Sequence, residues 1–234
     1  MGAILELQGV SMSFGGLKAV ADLSFEVREN EIVSIIGPNG SGKTTTFNVI
    51  SGLYEPDSGD ILLKGESVAG LRPDQVHDKG ISRTFQSLRL FSNMSVLENV
   101  LVGMHSVTDA GVVASMLRLP SVRREEAAMR AKAQEILAMF PGRFSGPRQQ
   151  QPAFSLSYAN RRRLEIARAL ASEPVLLLLD EPVAGMNPME SREVMEQIKI
   201  LRDKGFTILM IEHDMHVVEG VSDRVIAMDH GVKI

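Results

Sequence analysis

The chain has 234 residues, 44% of them hydrophobic, and its 25 basic and 29 acidic side chains give a net charge of -4. This length suits one domain with a buried core, and the acidic balance disfavours nucleic acid as a partner, since phosphate backbones usually bind basic surfaces. The absence of cysteine excludes disulfides and thiolate metal sites. No apolar run reaches the roughly 20 residues of a membrane-spanning helix, and no secretory signal begins the chain, so we expect a cytoplasmic protein.

The first third of the chain predicts strands around a glycine-rich turn. Residues 4–10 and 23–27 alternate apolar and polar side chains, as half-buried strands do, whereas residues 31–36 are nearly all apolar and predict a buried strand. A helix is expected at 43–51 and another strand at 59–63. We therefore expect a sheet that begins antiparallel and becomes parallel inward.

The rest of the chain predicts a helical lobe within an α/β core. Residues 95–140 follow a helical pattern, most clearly in the mixed-charge segment 123–139. Residues 141–152 are rich in proline, glycine and glutamine and predict a mobile surface loop without regular structure. Buried strands are predicted at 175–179 and 206–211 around a helix at 189–204, and this alternation indicates an α/β protein.

The glycine-rich turn carries the first functional signal. It matches the Walker A pattern of Gly, four residues, Gly-Lys and Ser or Thr, between a buried strand and a helix. The backbone N–H groups of such a turn and the following helix N-terminus bind phosphate oxygens, a lysine neutralises the phosphates, and a hydroxyl binds Mg²⁺. The predicted nucleotide-binding residues are Gly37, Pro38, Asn39, Gly40, Ser41, Gly42, Lys43, Thr44 and Thr45.

Two carboxylates follow the apolar strand at 175–179. Asp180 would hold the Mg²⁺ shell, and Glu181 would polarise the water that attacks the γ-phosphate. Acids at a strand end are commonly just solvated, but the phosphate-binding turn makes that interpretation a minor one. The two motifs together predict an ATPase.

From residue 4 onward, the chain resembles the ATP-binding subunits of ABC transporters. Their signature Leu-Ser-Gly-Gly-Gln corresponds to residues 156–160 (LSYAN), and residues 161–170 (RRRLEIARAL) match the family's next helix. The resemblance implies that Ser157, Ala159 and the helix N-terminus contact ATP held by a second subunit. Ala159 and Asn160 replace the family's glycine and glutamine, so we expect weakened closure or slower turnover.

Further roles follow from the same resemblance. Gln86 resembles the Q-loop glutamine that reaches Mg²⁺ and the attacking water, and His213 resembles the switch histidine that contacts the γ-phosphate. Phe14 lies where the family stacks an aromatic ring on adenine, although such a ring is often part of a core. The implied catalytic residues are Glu181, His213 and Gln86, the metal residues are Thr44, Gln86 and Asp180, and the dimer contacts are Leu156, Ser157, Tyr158 and Asn187.

The resemblance also implies a fold and partners. The fold is α/β, with a P-loop NTPase core of mainly parallel sheet, an antiparallel β subdomain and an α-helical subdomain, as in ABC ATPases. We expect one domain over 1–234 with a helical lobe at about 87–172 and a C-terminus that is short for the family.

The cofactors that the resemblance implies are ATP and Mg²⁺. The implied partners are integral-membrane permease subunits, a second ATP-binding subunit of the same or another kind and, indirectly, a solute-binding protein. The implied location is the inner face of the cell membrane.

Several segments resemble the subgroup that powers branched-chain amino-acid import, including residues 83–86 (RTFQ), 184–188 (AGMNP) and 211–215 (IEHDM). We therefore expect an ATPase that drives this import. Other transporters, for urea, other amino acids or lipopolysaccharide export, stay open, as does an ATP-sensing module with weak hydrolysis. A repair or translation ATPase would show long coiled coils or tandem Walker motifs, and neither is present.

Two groups of side chains have interpretations that depend on their exposure. The apolar residues after Gln86 would either line a groove for a short helix of the membrane subunit or form the core of the helical lobe; they are Leu88, Leu90, Phe91 and Met94. The arginines at 161–163 are expected to be partly a solvated face and partly a domain contact.

Overall fold

The computed structural model describes residues 2–104 and 120–234, which fall into two compact units. Unit 1 comprises Met1–Gln86 and Pro174–Ile234, and unit 2 comprises Ser87–Glu173, where the sequence predicts a lobe at about 87–172. Among the described residues, no helix combines the length and apolar character needed to cross a bilayer.

Helices and strands are numbered in chain order through both units. Unit 1 contains β1 (Ala3–Phe14), β2 (Leu17–Arg28), β3 (Ile32–Ile36), α1 (Lys43–Ile50), β4 (Ser58–Leu63), β5 (Glu66–Ser67), α2 (Pro73–Asp78), β6 (Ile81–Arg83), β7 (Leu176–Asp180), α6 (Pro188–Asp203), β8 (Thr207–Ile211), α7 (Met215–Val221), β9 (Arg224–Asp229) and β10 (Val232–Lys233). Unit 2 contains α3 (Val96–Gly103), α4 (Pro120–Ala138) and α5 (Tyr158–Leu170), with 3₁₀ turns at Gly146–Gln150 and Ala153–Ser155.

The strands of unit 1 form two separate sheets. One has four antiparallel strands in the order β2-β1-β4-β5, and the other has six in the order β10-β9-β3-β8-β7-β6. The expectation of one sheet that changes from antiparallel to parallel is thereby corrected, because among the described residues β1, β2, β4 and β5 pair only with one another. In the six-stranded sheet, β10 pairs antiparallel with β9. The α/β class with a mainly parallel core sheet and an antiparallel β subdomain is confirmed.

The parallel strands determine where the functional segments meet. β3 pairs with β8, β8 with β7 and β7 with β6, all in parallel. The carboxyl ends of parallel neighbours lie at the same edge of a sheet, and open α/β sheets bind ligands there. The turns that follow these four strands therefore lie side by side, although the chain between β6 and β7 includes the whole of unit 2.

Every residue of β7 and of β8 is buried, as expected for strands covered on both faces. The sequence predicted both strands to within one residue at each end. It missed β5, β6, β9, β10, α2 and α7. β5, β6 and β10 have only 2, 3 and 2 residues, too few for a periodicity to be recognised. β9 has 6 residues but, unlike β7 and β8, is only partly buried.

Unit 2 is helical in its described part. Ser95 caps α3 by accepting from the N–H of Glu98, whose side chain in turn accepts from the N–H of Ser95. The helical prediction for 95–140 corresponds to α3 and α4, and its middle, 105–119, lies outside the described residues. The expectation that 141–152 lacks regular structure is wrong in part, because Gly146–Gln150 form a 3₁₀ turn.

Two of the three consecutive arginines are buried, which corrects the expectation of a solvated face. Arg162 pairs with Glu165 at 2.9 Å, and Arg163 donates to Asn160 Oδ1 at 2.9 Å. Both arginines belong to the buried residues of α5. A buried guanidinium is tolerated when acceptors are supplied within the fold, and here α5 supplies them one turn away from each arginine.

The apolar residues after Gln86 do not form an ordinary core. Phe91 and Met94 are exposed, while Leu88 and Leu90 are only partly buried. Asn99 holds the Phe91 backbone by accepting from its N–H at 3.0 Å and donating to its carbonyl oxygen at 3.1 Å. The core interpretation is therefore excluded for Phe91 and Met94.

Candidate active site

The turn after β3 has the backbone conformation of a phosphate cradle. Gly37, Gly40 and Gly42 have positive φ angles of 150°, 82° and 100°. A Cβ atom at Gly42 would lie 2.3 Å from the carbonyl oxygen of Ala19, so only glycine fits there. The turn leads into the N-terminus of α1, where the first N–H groups have no intrahelical partner and the helix dipole favours an anion.

Two side chains of the turn, those of Lys43 and Ser41, differ in their hydrogen bonds. Lys43 Nζ donates to the carbonyl oxygens of Gly37 at 2.7 Å and Pro38 at 2.9 Å. Burial lowers the pKa of Lys43, and the Glu181 carboxylate opposes this change. Ser41 Oγ is buried and has no hydrogen-bond partner among the described residues. Because an unsatisfied buried hydroxyl is costly, this geometry fits a turn that receives phosphate oxygens.

The predicted catalytic residues meet at the carboxyl end of β7. Gln86 Nε2 donates to Glu181 Oε2 at 3.3 Å, and His213 Nδ1 lies 3.7 Å from Glu181 Oε1. Glu181 has a positive φ of 47°, which is uncommon for a non-glycine residue and typical of functional turns. A carboxylate, an amide and an imidazole thus converge beside the phosphate-binding turn.

Asp180, the predicted metal residue, is held by another buried side chain. Its Oδ2 accepts from Arg83 at 3.0 Å, and the two side chains are 5% and 6% exposed. Thr84 Oγ1 accepts from the N–H of Asp180 at 3.2 Å. Asp180 is therefore fixed in place by the segment that leads from β6 to Gln86.

Sequence reasoning missed a second buried acid, Glu212, which follows β8 directly. Its carboxylate accepts from the N–H groups of His213 at 3.0 Å, Asp214 at 3.3 Å and Val183 at 3.5 Å. Burial raises the pKa of Glu212, and these hydrogen bonds oppose the rise. The available signal was an acid that directly follows an apolar run, here residues 208–211, which is the same signal that identified Asp180.

An open cavity of about 600 Å³ adjoins the turn within unit 1. Phe14 is 43% exposed at its edge and makes an edge-to-face contact with Tyr54, with 5.2 Å between ring centroids, so Phe14 is not a core residue. Leu17, Lys18, Ala19 and His230 were not predicted as site residues. The lining residues are Phe14, Leu17, Lys18, Ala19, Asn39, Gly40, Gly42, Lys43, Thr44, Thr45, Gln86, Glu181 and His230.

The predicted signature residues lie in unit 2, around the start of α5. Ser157 caps this helix, with Oγ accepting from the N–H of Asn160 at 3.4 Å. Tyr158 is exposed, whereas Leu156 and Ala159 are 8% and 2% exposed. The contact of Ala159 with ATP and the dimer contact of Leu156 stay predictions. Because the Ala159 side chain is buried, its contact with ATP would be made by the backbone.

Asn187, the remaining predicted dimer contact, lies in unit 1 and caps α6. Its Oδ1 accepts from the N–H groups of Met189 and Glu190, both at 3.0 Å. The Asn187 side chain is exposed, and these hydrogen bonds to the first turn of α6 fix its position.

The donor set near the turn also suits Mg²⁺. In the described part of the chain, no cluster of three or more His, Asp or Glu side chains could hold a metal by itself. Mg²⁺ is usually held by one or two protein oxygens together with water and substrate phosphates. The Thr44 hydroxyl and the Asp180 carboxylate provide such oxygens at the same edge of the sheet.

Comparison with known proteins identifies the family, since the model described as "ABC transporter" matches residues 20–184. The chain belongs to the ABC transporter family. This ABC ATPase is 44% identical over 232 residues to the high-affinity branched-chain amino acid transport ATP-binding protein LivG of Salmonella typhimurium, covering 99% of this chain and 90% of that protein. The predicted family and the predicted class of enzyme, an ATPase, are confirmed.

Solved structures of ATP-binding cassettes have the same fold as this ABC ATPase. It is similar to the ADP conformation of MJ1267, an ATP-binding cassette of an ABC transporter, with a TM-score of 0.86, 32% identity and coverage of 100% of this chain and 90% of that one. It is also similar to the dimeric structure of MJ0796, a bacterial ABC transporter cassette, with a TM-score of 0.80, 26% identity and coverage of 98% and 96%. The predicted ABC ATPase fold is confirmed.

Proposed function

We propose that this ABC ATPase binds ATP with Mg²⁺ in the cavity beside the glycine-rich turn and that its hydrolysis powers the import of branched-chain amino acids. The observation that carries the ATPase site is the convergence of Gln86 and His213 on Glu181, next to Lys43 and its turn. The 44% identity to LivG over nearly the whole chain supports branched-chain amino acids as the transported solutes.

The chemistry follows from the positions of the groups. The N–H groups of the turn and the Lys43 ammonium bind the phosphates, and the exposed ring of Phe14 stacks on the adenine. Glu181 accepts a hydrogen bond from the attacking water and orients it in line with the γ-phosphate, while Gln86 and His213 position water and phosphate. Thr44, Asp180 and Gln86 would hold Mg²⁺, which would supply positive charge next to the phosphate oxygens.

A second subunit completes the site in this proposal. The start of α5 carries the Ser157 hydroxyl and the N–H groups of Tyr158 and Ala159, which are positioned in the first turn where an anion is favoured. These groups bind the γ-phosphate of ATP on the partner, which is either a second copy or a related chain. Ala159 contributes through its backbone, and exposed Tyr158 and Asn187 contact the partner.

Permease subunits are the other partners. We place the protein at the cytoplasmic face of the membrane, where ATP is available, with a solute-binding protein acting indirectly through the permease. Exposed Phe91 and Met94 support docking of a short permease helix near them.

The substitution Glu181→Gln tests the ATPase site. Loss of the base should lower the ATPase rate by about 10²- to 10⁴-fold, while ATP binding, measured with a fluorescent analogue, should persist because the turn is unchanged. Glu219→Gln, at an exposed position of α7, is the matched control and should keep the wild-type rate. A Glu181→Gln rate close to that of the wild type would refute the assigned base.

Reconstitution with the permease subunits tests the solute. A solute-binding protein loaded with leucine, isoleucine or valine should stimulate ATPase activity in proteoliposomes. Stimulation only by a binding protein for another solute would contradict branched-chain amino acids as the transported solute. The proposed ATPase activity would still stand.

A further inference from the structure

Glu212 lies where the chain passes from the core to the edge of the site. Its side chain is fully buried, whereas the next residue, His213, is exposed. The N–H of Glu212 donates to the carbonyl oxygen of Ile35 at 3.3 Å, which extends the pairing of β8 with β3 by one residue. Glu212 therefore continues the pairing of the sheet, and the loop that begins at His213 follows it directly.

The carboxylate of Glu212 links two loops that carry reacting groups. Oε2 accepts from the N–H groups of His213 and Asp214, and Oε1 accepts from the N–H of Val183. Val183 follows Glu181 by two residues, and the N–H of Glu181 itself donates to the carbonyl oxygen of Ile211 at 3.0 Å. The loop after β7 and the loop after β8 thus share one carboxyl group as acceptor.

Stability by itself does not account for an acid at this position. In the described part of the chain no lysine or arginine pairs with Glu212, and its hydrogen-bond donors are all backbone N–H groups. Desolvating the carboxylate is costly, and its hydrogen bonds offset that cost only in part, since burial still raises the pKa of Glu212. An apolar residue would avoid the desolvation but leave three N–H groups without this acceptor. What the carboxylate adds over such a residue is a fixed geometry for three N–H groups.

We propose that Glu212 is a positioning residue for ATP hydrolysis, whose carboxylate holds the His213 loop against the Glu181 turn. The observed 3.7 Å between His213 Nδ1 and Glu181 Oε1 is the distance that this link maintains. The inference rests on the proposed ATPase site and adds to it a residue whose side chain is fully buried.

The test is a double-mutant cycle of Glu212→Leu and His213→Ala in the full chain. Glu212→Leu should lower kcat by about 10- to 100-fold, since small misplacements of a catalytic group have effects of this size. The Kd of a fluorescent ATP analogue should stay within about twofold, because the link matters to the transition state and not to ground-state binding. In the His213→Ala background, Glu212→Leu should lower kcat no further, because its effect runs through His213.

Two more variants keep the test decisive. Glu212→Gln retains one acceptor oxygen and replaces the leucine variant in the test if that variant does not fold. It should lower kcat less than Glu212→Leu does. Amide hydrogen exchange at His213 and Asp214 should be faster than in the wild type. Asp214→Asn is the matched control in the same loop. Among the described residues, its side chain accepts only from the N–H of His216, at 2.9 Å. Asparagine keeps that cap, so kcat should not change.

The outcomes separate this inference from the proposed function. If His213→Ala leaves kcat unchanged, the role of His213 in the proposed function fails, and the positioning role of Glu212 fails with it. If His213→Ala lowers kcat and Glu212→Leu lowers it again by the same factor in both backgrounds, only the Glu212 inference is overturned. A purely structural role would lower the melting temperature and weaken ATP binding together, without the coupling to His213.

Discussion

At the scale of single residues, backbone conformation determines which side chains the phosphate turn accepts. Gly40 and Gly42 both have positive φ angles, but the space around them differs. A Cβ atom at Gly40 would meet no atom within 4 Å, whereas one at Gly42 would meet the Ala19 carbonyl oxygen at 2.3 Å. Comparing alanine substitutions at these two positions therefore separates the cost of backbone strain from the cost of a steric clash.

We predict that Gly42→Ala destabilises the protein more than Gly40→Ala. Both variants carry the strain of a left-handed alanine, about 1 kcal/mol, and only Gly42→Ala adds the contact with Ala19. The difference in the free energy of unfolding, measured by urea denaturation, should exceed about 1 kcal/mol. Equal losses in the two variants would show that the Ala19 contact relaxes without cost.

A second prediction concerns pH and the buried Glu212. Burial raises its pKa above the ordinary value of 4.5, although backbone hydrogen bonds oppose the rise. Between 4.5 and the raised pKa, the native carboxyl keeps a proton that the unfolded chain has lost, so this group makes the free energy of unfolding fall as pH rises. Glu212→Gln removes that contribution.

The stability difference, wild type minus Glu212→Gln, should therefore decrease as pH rises through this window and be constant on either side. Urea denaturation at a series of pH values measures it. A difference that grows with pH would mean that the hydrogen bonds dominate and that the pKa is lowered.

At the scale of elements, one arginine ties the two sheets of unit 1 together. Arg224, the first residue of β9, donates to both carboxylate oxygens of Glu31 at 2.8 and 2.9 Å and to the carbonyl oxygen of Glu26 in β2 at 2.5 Å. Burial alone would raise the pKa of Glu31, but the hydrogen bonds from Arg224 and from the Arg28 N–H outweigh it and lower the pKa. This bidentate pair joins β9 to the turn before β3.

We predict that Arg224→Met lowers the free energy of unfolding by about 1–2 kcal/mol, allowing for the partial exposure of the arginine. Arg72→Met is the matched control, since Arg72 forms an exposed ion pair with Asp74 at 2.7 Å that should matter little. Thermal or urea denaturation compares the two. Equal effects of the two substitutions would contradict a special role for the Glu31 pair.

At the scale of the whole molecule, the phosphate turn and the signature residues belong to different units of the chain. Each unit carries only part of the groups assigned to the nucleotide. In the proposed function, ATP recruits the missing part from a second subunit, so association should depend on a γ-phosphate. The solved dimer of the similar cassette MJ0796 supports this arrangement.

We predict that the Glu181→Gln variant forms dimers with Mg²⁺ and ATP and returns to monomers with ADP, as measured by light scattering after gel filtration. Adding Tyr158→Asp, which places a charge at an exposed predicted contact, should weaken the dimer at least about tenfold and leave ATP binding unchanged. Ile200→Asp, at an exposed position of α6, is the control. Monomers alone under all conditions, also with the partner chains added, would contradict the paired site.

The sequence by itself determined the local structures and the groups that they carry. Walker A spacing between a strand and a helix predicted the turn, because glycine positions report backbone conformation directly. An apolar run ending in Asp180 and Glu181 predicted a buried strand with acids at its carboxyl end. The resemblance to ABC ATPases extended these signals to Gln86 and His213, which no local pattern would single out.

Only the tertiary structure decided which charged groups are buried and which distant groups meet. Gln86 and Glu181 are 95 residues apart and lie in contact because β6 and β7 are parallel neighbours. Arg83 looks like a surface residue in the sequence, yet its side chain is 6% exposed and pairs with Asp180, 97 residues further along the chain. The reason is physical: periodicity encodes local conformation, whereas the burial of a charge depends on hydrogen-bond partners that the folded chain brings to it from elsewhere.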